Sequence, residues 1–136
     1  MKYLVMVLGS QADYEAMSGN PSEGSPAWGE KDMREMFAFM ESVNNDLAES
    51  GEMVEGHGLG EPAGTRAVLP GPDGRPVVTD GPYGETKEQL AGYWVLDCES
   101  LERVTEIAAR IGLCPQPEGA PVYPVLIRPI MDDAGC

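Results

Sequence analysis

The sequence has few of the side chains that bind metals or nucleic acids. Its 136 residues include one histidine and three cysteines, and no two cysteines form a C-x-x-C pair. Neither a structural zinc site nor a disulfide framework is therefore predicted, and we expect no metal and no cofactor. Lysine and arginine number 9 against 23 aspartates and glutamates, which gives a formal net charge of −14. A field of this sign repels nucleic-acid phosphates and anionic membrane surfaces, so neither is expected as a partner.

Long apolar runs and the common nucleotide or hydrolase motifs are also missing. The N-terminal apolar run, Tyr3 to Leu8, is short and is followed by no small-residue cleavage site, so it predicts neither a signal peptide nor a membrane span. The sequence contains no G-x-S-x-G motif and no P-loop. With 42% hydrophobic and 24% charged residues, the composition predicts a folded single domain over residues 1–136, with the cytoplasm as its expected location.

Apolar spacing predicts two amphipathic helices. The first apolar face repeats at intervals of three and four residues and ends at Gly51: Met33, Met36, Phe37, Met40, Val43 and Leu47. The second face lies between a predicted N-cap at Ser100 and a stop at Gly112: Leu101, Val104, Ile107, Ala108 and Ile111. The methionines of the first helix fit either a plain core or an adaptable groove for a ligand.

Strand-like segments surround these helices. Residues 1–9 form a nearly continuous apolar run, which predicts a central strand, and residues 52–59 predict a second strand antiparallel to it. Pro and Asp-Gly turn residues join 66–69 to 75–79 as a hairpin, and further strands are predicted at 92–97 and 122–130. Because prolines cannot donate ladder hydrogen bonds, Pro124 and Pro129 place the last strand at an edge. The predicted fold is α+β, a βαββαβ sandwich with an inserted β-hairpin and two helices on one sheet face.

Two parts of the chain are predicted to lie outside the helices and strands. Residues 10–29 are rich in Gly, Ser and Pro and are expected to form a long surface loop that covers something with Tyr14, Met17 and Trp28. Residues 132–136 are expected to be a flexible tail.

Two helices are not expected to cover every apolar strand residue, namely Trp94, Leu96, Val125 and Ile127, so the other sheet face is predicted to meet a second copy in a homodimer.

Residues 80–88 carry the densest set of polar side chains, on a loop between two predicted strands. Loops held by a rigid sheet are where binding and catalytic groups tend to lie. Within and beside this loop we predict a ligand-binding role for Tyr83, Glu85, Lys87 and Trp94. Arg128, which lies in an apolar strand, needs a carboxylate or a ligand as partner if it is buried.

The run from Asp80 to Tyr83 and the run from Glu85 to Tyr93 resemble the D-G-P-[FY]-x-E-T-K-E-x-[LI]-x-G-[FY] signature of the YCII-related, or DGPF-domain, family. The similarity extends to the N-terminal Met1-Lys2-Tyr3, the Asp97-Cys98-Glu99-Ser100-Leu101 entry to the second helix and the strand at 125–130. The resemblance implies a ferredoxin-like subunit of the dimeric α+β barrel class, with a cleft in each subunit. It also implies acid–base work by a His and Asp pair, and a link to extracytoplasmic-function sigma factors in some relatives.

His57 and Asp80 are the residues here that match such a pair. A carboxylate that binds one ring nitrogen of His57 would leave the other to give or take a proton, as in an isomerisation or elimination without a cofactor. The alternatives are a partly exposed strand histidine and an Asp80 that only bonds its own turn amides. The predicted function is therefore small-molecule binding, with acid–base catalysis by this pair as a further hypothesis; the alternative is a non-catalytic dimeric protein-interaction module, linked by the resemblance to a sigma-factor pathway.

Overall fold

Helices cover one side of a four-stranded antiparallel sheet, and a separate two-stranded hairpin is inserted before one of its strands. The structure is a computed structural model that describes residues 1–80 and 87–132. In chain order the elements are β1 (Lys2–Gly9), α1 (Gln11–Met17), α2 (Glu30–Ser50), β2 (Met53–Gly58), β3 (Arg66–Pro70), β4 (Pro76–Asp80), β5 (Gln89–Asp97), α3 (Leu101–Ile111) and β6 (Leu126–Pro129).

The main sheet has the strand order β2-β5-β1-β6, which makes the fold ferredoxin-like α+β and confirms the fold predicted from the sequence. The central position of β1 and the edge position of β6 are confirmed as well. One strand direction was wrong: β2 and β1 both pair antiparallel with β5, so they run in the same direction. The reason is that helix α2 runs back along the sheet, so that β2 starts at the same end of the sheet as β1.

The core lies between the sheet and helices α2 and α3. Alternate residues of β1 and β5 point to the helices, and the most deeply buried aliphatic side chains there are Val5, Val43, Leu96 and Val104. Burial of such a side chain stabilises the fold by about 1.5–3 kcal/mol. The predicted helix ends are confirmed: Gly51 closes α2 with a φ of 81°, and the Ser100 hydroxyl accepts a hydrogen bond of 3.0 Å from the Arg103 amide.

The segment 10–29 is not a loop throughout, because it contains helix α1. Ser10 and Asp13 form a capping box: the Ser10 hydroxyl accepts from the Asp13 amide at 3.1 Å, and the Asp13 carboxylate accepts from the Ser10 amide at 2.8 Å. Ala12 and Ala16 are buried against the rest of the domain. The Gly- and Pro-rich composition of the later part of the segment concealed this short helix.

The premise of the homodimer prediction was also wrong. Trp94 and Leu96 are buried beneath the helices, and Val125 and Ile127 pack against the same core, so all four lie on the helix side. The prediction of two helices also did not include α1, which is a third helix. The opposite sheet face carries a different set of residues, described below.

The hairpin of β3 and β4 forms its own sheet, as predicted, with Val68 opposite Val78 and Leu69 opposite Val77. All four of these side chains are exposed. Among residues 1–80 and 87–132, no helix is long and apolar enough to cross a membrane.

Candidate functional site

A cavity of about 630 Å³ lies between the sheet and helices α1 and α2. Its size falls within the range of small-molecule sites, which are roughly 300–1,000 Å³. The cavity opens where the core described above ends, beside the N-terminal half of α2. Helix α3 contributes none of the described lining residues.

Strand glycines create the floor of the cavity. Gly56 and Gly58 of β2 and Gly92 of β5 line it, and they lie where larger side chains would fill the space under the helices. A Cβ atom on Gly56 would lie 3.0 Å from Trp94 Cδ1, and one on Gly92 would lie 3.1 Å from the His57 carbonyl oxygen. At Gly58 no heavy atom lies within 4 Å of the added Cβ, so that glycine borders the open volume.

The walls are apolar, and the residues with the largest side chains come from α1, α2 and the segment between them. These residues are Met17, Trp28, Met36, Phe37 and Met40. Tyr14, Met17 and Trp28, predicted from the sequence to cover something, therefore all line the cavity. Met36 and Met40 lie at the cavity, which favours the groove alternative for these two methionines over a plain core.

One end of the cavity is polar. The Tyr123 hydroxyl donates a hydrogen bond of 2.6 Å to the Asp13 carboxylate, and the Ser25 hydroxyl donates to the same carboxylate at 3.3 Å. Burial, and then the hydrogen bond to Asp13, raise the pKa of Tyr123 to about 12, so its phenol stays protonated at neutral pH. The Tyr14 hydroxyl donates to the Leu59 carbonyl at 2.9 Å, and burial raises the pKa of Tyr14.

Trp94, a predicted ligand-binding residue, lines the cavity and is almost fully buried. Its indole N–H donates a hydrogen bond of 2.8 Å to the side-chain oxygen of Asn44 on α2. Both tryptophans of the chain, Trp28 and Trp94, therefore border the same volume. Their fluorescence reports directly on what enters it.

The side chain of His57 does not share a face with Trp94. Its neighbour Gly56 pairs with Trp94, whereas His57 pairs with Tyr93, and successive residues of a strand point to opposite faces. The imidazole is 58% exposed, its Nε2 lies 3.1 Å from Glu55 Oε2, and its ring centroid lies 5.7 Å from that of Tyr93. Although His57 also borders the cavity, the strand alternation directs its ring to the other side of the sheet.

The structure does not test the His57–Asp80 pair. Asp80 ends β4 opposite Arg66, but its side chain lies outside the described residues, as do Tyr83 and Glu85. The pair and the ligand roles of those two residues stay predictions.

The remaining two predicted residues are exposed. Lys87 lies just before β5, and its ligand role also stays a prediction. Arg128 lies opposite Leu4 on the helix-free face. Because the guanidinium of Arg128 is not buried, the physical requirement for a carboxylate partner does not arise.

Sequence reasoning missed Asp13 and Tyr123, whose side chains meet at the polar end. The spacing Ser10-x-x-Asp13 is a capping signal that would have located α1, and with it the carboxylate. Tyr123 is 110 residues away from Asp13 in the sequence, and no local pattern indicates that the two side chains meet. Among the described residues, no group of three or more His, Cys, Asp or Glu side chains is placed to hold a metal ion.

Comparison with known proteins shows similarity to a family model and to an uncharacterized protein. A family model described as the YCII-related domain matches residues 1–126. The chain is 30% identical over 95 residues to an uncharacterized protein of Rhizobium meliloti (strain 1021), an alignment that covers 70% of this chain and 76% of that protein.

Proposed function

Because this chain belongs to the YCII-related family, whose matched relative has no described activity, we propose a function from the cavity itself: the protein binds a small, mainly apolar molecule there. The observation that supports this most is a volume of about 630 Å³ with aromatic and methionine walls and only a few polar groups. Binding sites for small organic molecules have this composition, because apolar walls supply affinity and a few polar groups fix orientation.

The glycine floor supports the same proposal. A strand glycine costs stability relative to a residue that packs, and four of them, Gly9, Gly56, Gly58 and Gly92, border this one volume. If the two layers had only to pack, valine or leucine at Gly58 would fill the space without a steric clash at Cβ. We infer that the space is retained for a ligand.

A binding titration with a matched pair of variants tests the proposal. Nile red, a neutral apolar dye, should bind the parent protein with increased dye emission and with quenching of the tryptophan fluorescence. Gly58→Phe places a ring in the cavity and should weaken dye binding by about tenfold or more, which corresponds to about 1.4 kcal/mol. Gly60→Phe is the control, since Gly60 also has open space around its Cβ but does not line the cavity. Equal binding by both variants would contradict the proposal.

The acid–base hypothesis for His57 and Asp80 concerns a different place. The His57 ring lies on the face of the sheet without helices, beside Glu55 and Tyr93, so its chemistry would act on a molecule bound at that face. Isomerase or lyase activity by this pair therefore remains a separate prediction from binding in the cavity.

We also propose that the helix-free face joins two copies of the chain. The strand register brings an apolar group together on that face: Leu4, Met6, Tyr93, Val95 and Leu126. An apolar sheet face of this kind is usually covered, and a symmetric dimer covers it with the same surface. These five residues replace the four helix-facing ones from which the dimer was predicted.

The mass in solution tests the dimer. Light scattering at micromolar concentration should give twice the chain mass of 14.6 kDa, and Met6→Glu should reduce it to one chain. Ala38→Glu, which adds the same charge at an exposed position of α2, should leave the dimer intact. If the parent protein has the mass of one chain, the dimer proposal fails and the face is left for another protein, as in the interaction-module alternative.

A further inference from the structure

The charge of the cavity lining restricts which ligands can enter. Among the described residues that border it there is no lysine and no arginine, whereas Asp13 supplies a carboxylate. The chain as a whole carries a formal net charge of −14. An anionic ligand would therefore have to leave water for a site of its own sign of charge, which is unfavourable.

The Asp13 carboxylate is satisfied by hydrogen bonds but not neutralised. Its donors are the Ser10 amide, the Tyr123 hydroxyl and the Ser25 hydroxyl, all of them neutral groups. Within the described parts of the chain it forms no ion pair with a lysine, an arginine or the histidine. Its negative charge therefore acts on the polar end of the cavity without a counterion from the protein.

The two phenols at this end donate their protons within the protein, so their oxygens are left to accept hydrogen bonds. The single proton of Tyr123 is donated to Asp13, and that of Tyr14 is directed to the backbone carbonyls of Leu59 and Ala91, at 2.9 and 3.3 Å. What remains for a ligand is oxygen lone pairs, of which the Tyr123 oxygen shares part with the Ser10 side chain. The polar end thus favours a ligand group that donates hydrogen bonds, and the carboxylate favours one with positive charge.

The walls also suit a cation on an apolar body. Trp28 and Phe37 line the cavity, and aromatic faces attract ammonium groups as well as apolar rings. We propose that the ligand is an apolar amine, protonated at neutral pH, whose ammonium group donates to Asp13 while its ring body fills the methionine-lined part of the cavity. This inference rests on the proposed small-molecule binding and names the class of molecule bound.

Competition among three matched compounds tests the charge preference. Naphthylmethylamine, ethylnaphthalene and naphthylacetate share one ring body and differ in carrying an ammonium, a methyl or a carboxylate group. Each is titrated against Nile red bound to the parent protein at neutral pH. We expect the amine to displace the dye about tenfold more tightly than the hydrocarbon, as a charge-assisted hydrogen bond would give, and the carboxylate to be the weakest.

The outcomes separate the two proposals. Equal displacement by the amine and the hydrocarbon, or tighter binding of the carboxylate, would overturn the amine inference and leave the cavity as an apolar site. If Nile red itself fails to bind the parent protein, the proposed binding function fails and the amine inference fails with it.

Two variants assign the effect to Asp13. Asp13→Asn keeps the shape and removes the charge, so the amine should lose its advantage while ethylnaphthalene binds unchanged. Because Asp13 also caps α1, circular dichroism must first show that this variant is folded. Tyr123→Phe does not remove the cap: it frees one acceptor position on Asp13 Oδ2, which still accepts from the Ser10 amide, and the amine preference should be kept or increased. A loss of the preference in Tyr123→Phe would overturn Asp13 as the acceptor.

Discussion

The two halves of the space between sheet and helices are built from different residues. Under α3 and the C-terminal half of α2, branched side chains such as Val5, Val43 and Val104 are fully buried and pack together in the core. Beside α1 and the N-terminal half of α2, strand glycines and helical methionines leave a volume of about 630 Å³. The same two layers thus contain a solid half and a hollow half, and the difference is in the side chains rather than in the backbone elements.

The largest expected effect is on the free energy of unfolding and compares one truncated side chain in each half. Leu96→Ala in the solid half should lower the free energy of unfolding by about 3 kcal/mol, because it leaves a new cavity in close-packed surroundings. Met36→Ala, at the wall of the existing cavity, should cost about 1 kcal/mol, since its side chain packs on one side only. Urea unfolding of both variants measures the two losses. Similar losses would mean that the hollow half is packed in solution.

A smaller effect is a pH dependence of stability in the solid half, caused by one ion pair of α3. Glu52, beside β2, receives two hydrogen bonds from the Arg103 guanidinium of α3, at 2.8 and 2.9 Å. These bonds lower the pKa of Glu52 from 4.5 to about 2. The stabilisation is therefore complete above the unfolded-state pKa, near 4.5, and is lost as the pH falls towards 2.

We expect this ion pair to stabilise the parent protein by about 2 kcal/mol at neutral pH, a value reduced for the partial exposure of Arg103. Glu52→Gln should abolish that part of the pH dependence, which urea unfolding between pH 2 and pH 7 measures. Asp46→Asn, which removes an exposed partner of Arg110, is the control and should change the profile little. A Glu52→Gln profile as steep as that of the parent protein would contradict the expectation.

The smallest effect lies at the boundary between the halves. Gly56→Ala brings a Cβ to 3.0 Å from Trp94 Cδ1, so the indole must shift and strain its hydrogen bond to Asn44. We expect a net loss of about 1 kcal/mol. Gly58→Ala meets nothing within 4 Å and should stabilise by about 0.5 kcal/mol through the unfolded state. A reversed order in thermal unfolding would contradict the assignment of Gly58 to open space.

The solid half was largely predictable from the sequence, and the hollow half was not. Apolar residues at helical spacing located α2 and α3, and Gly51 and Ser100 marked where they end and begin, because such patterns follow from local geometry. The cavity depends on which strand residues meet across the sheet. Gly56 and Gly92 are 36 residues apart in the sequence, and only the β2–β5 register brings them to one surface.

The site residues show the same limit. Trp94 was predicted to contact a ligand and lines the cavity, whereas the face on which His57 lies depends on the β2–β5 register and on an irregularity between Met53 and Glu55. An irregularity of one residue reverses which side chains face the helices, and it cannot be read from alternation alone. Long-range side-chain pairs such as Asp13 with Tyr123 are likewise fixed by the tertiary fold.

Helix α1 has seven residues, which is too short for a helix to persist in water by itself. It is helical because buried alanines, the Tyr14 hydroxyl and the Trp28 amide, which donates to Ala16, tie it to the domain. A wall this short, held by side-chain contacts rather than by a ladder of strand hydrogen bonds, opens by local unfolding more often than the central strands do. The amides of α1 should therefore exchange with deuterated water before those of β5, and the frequency of that opening sets the upper limit on how fast a bound molecule enters or leaves past this wall.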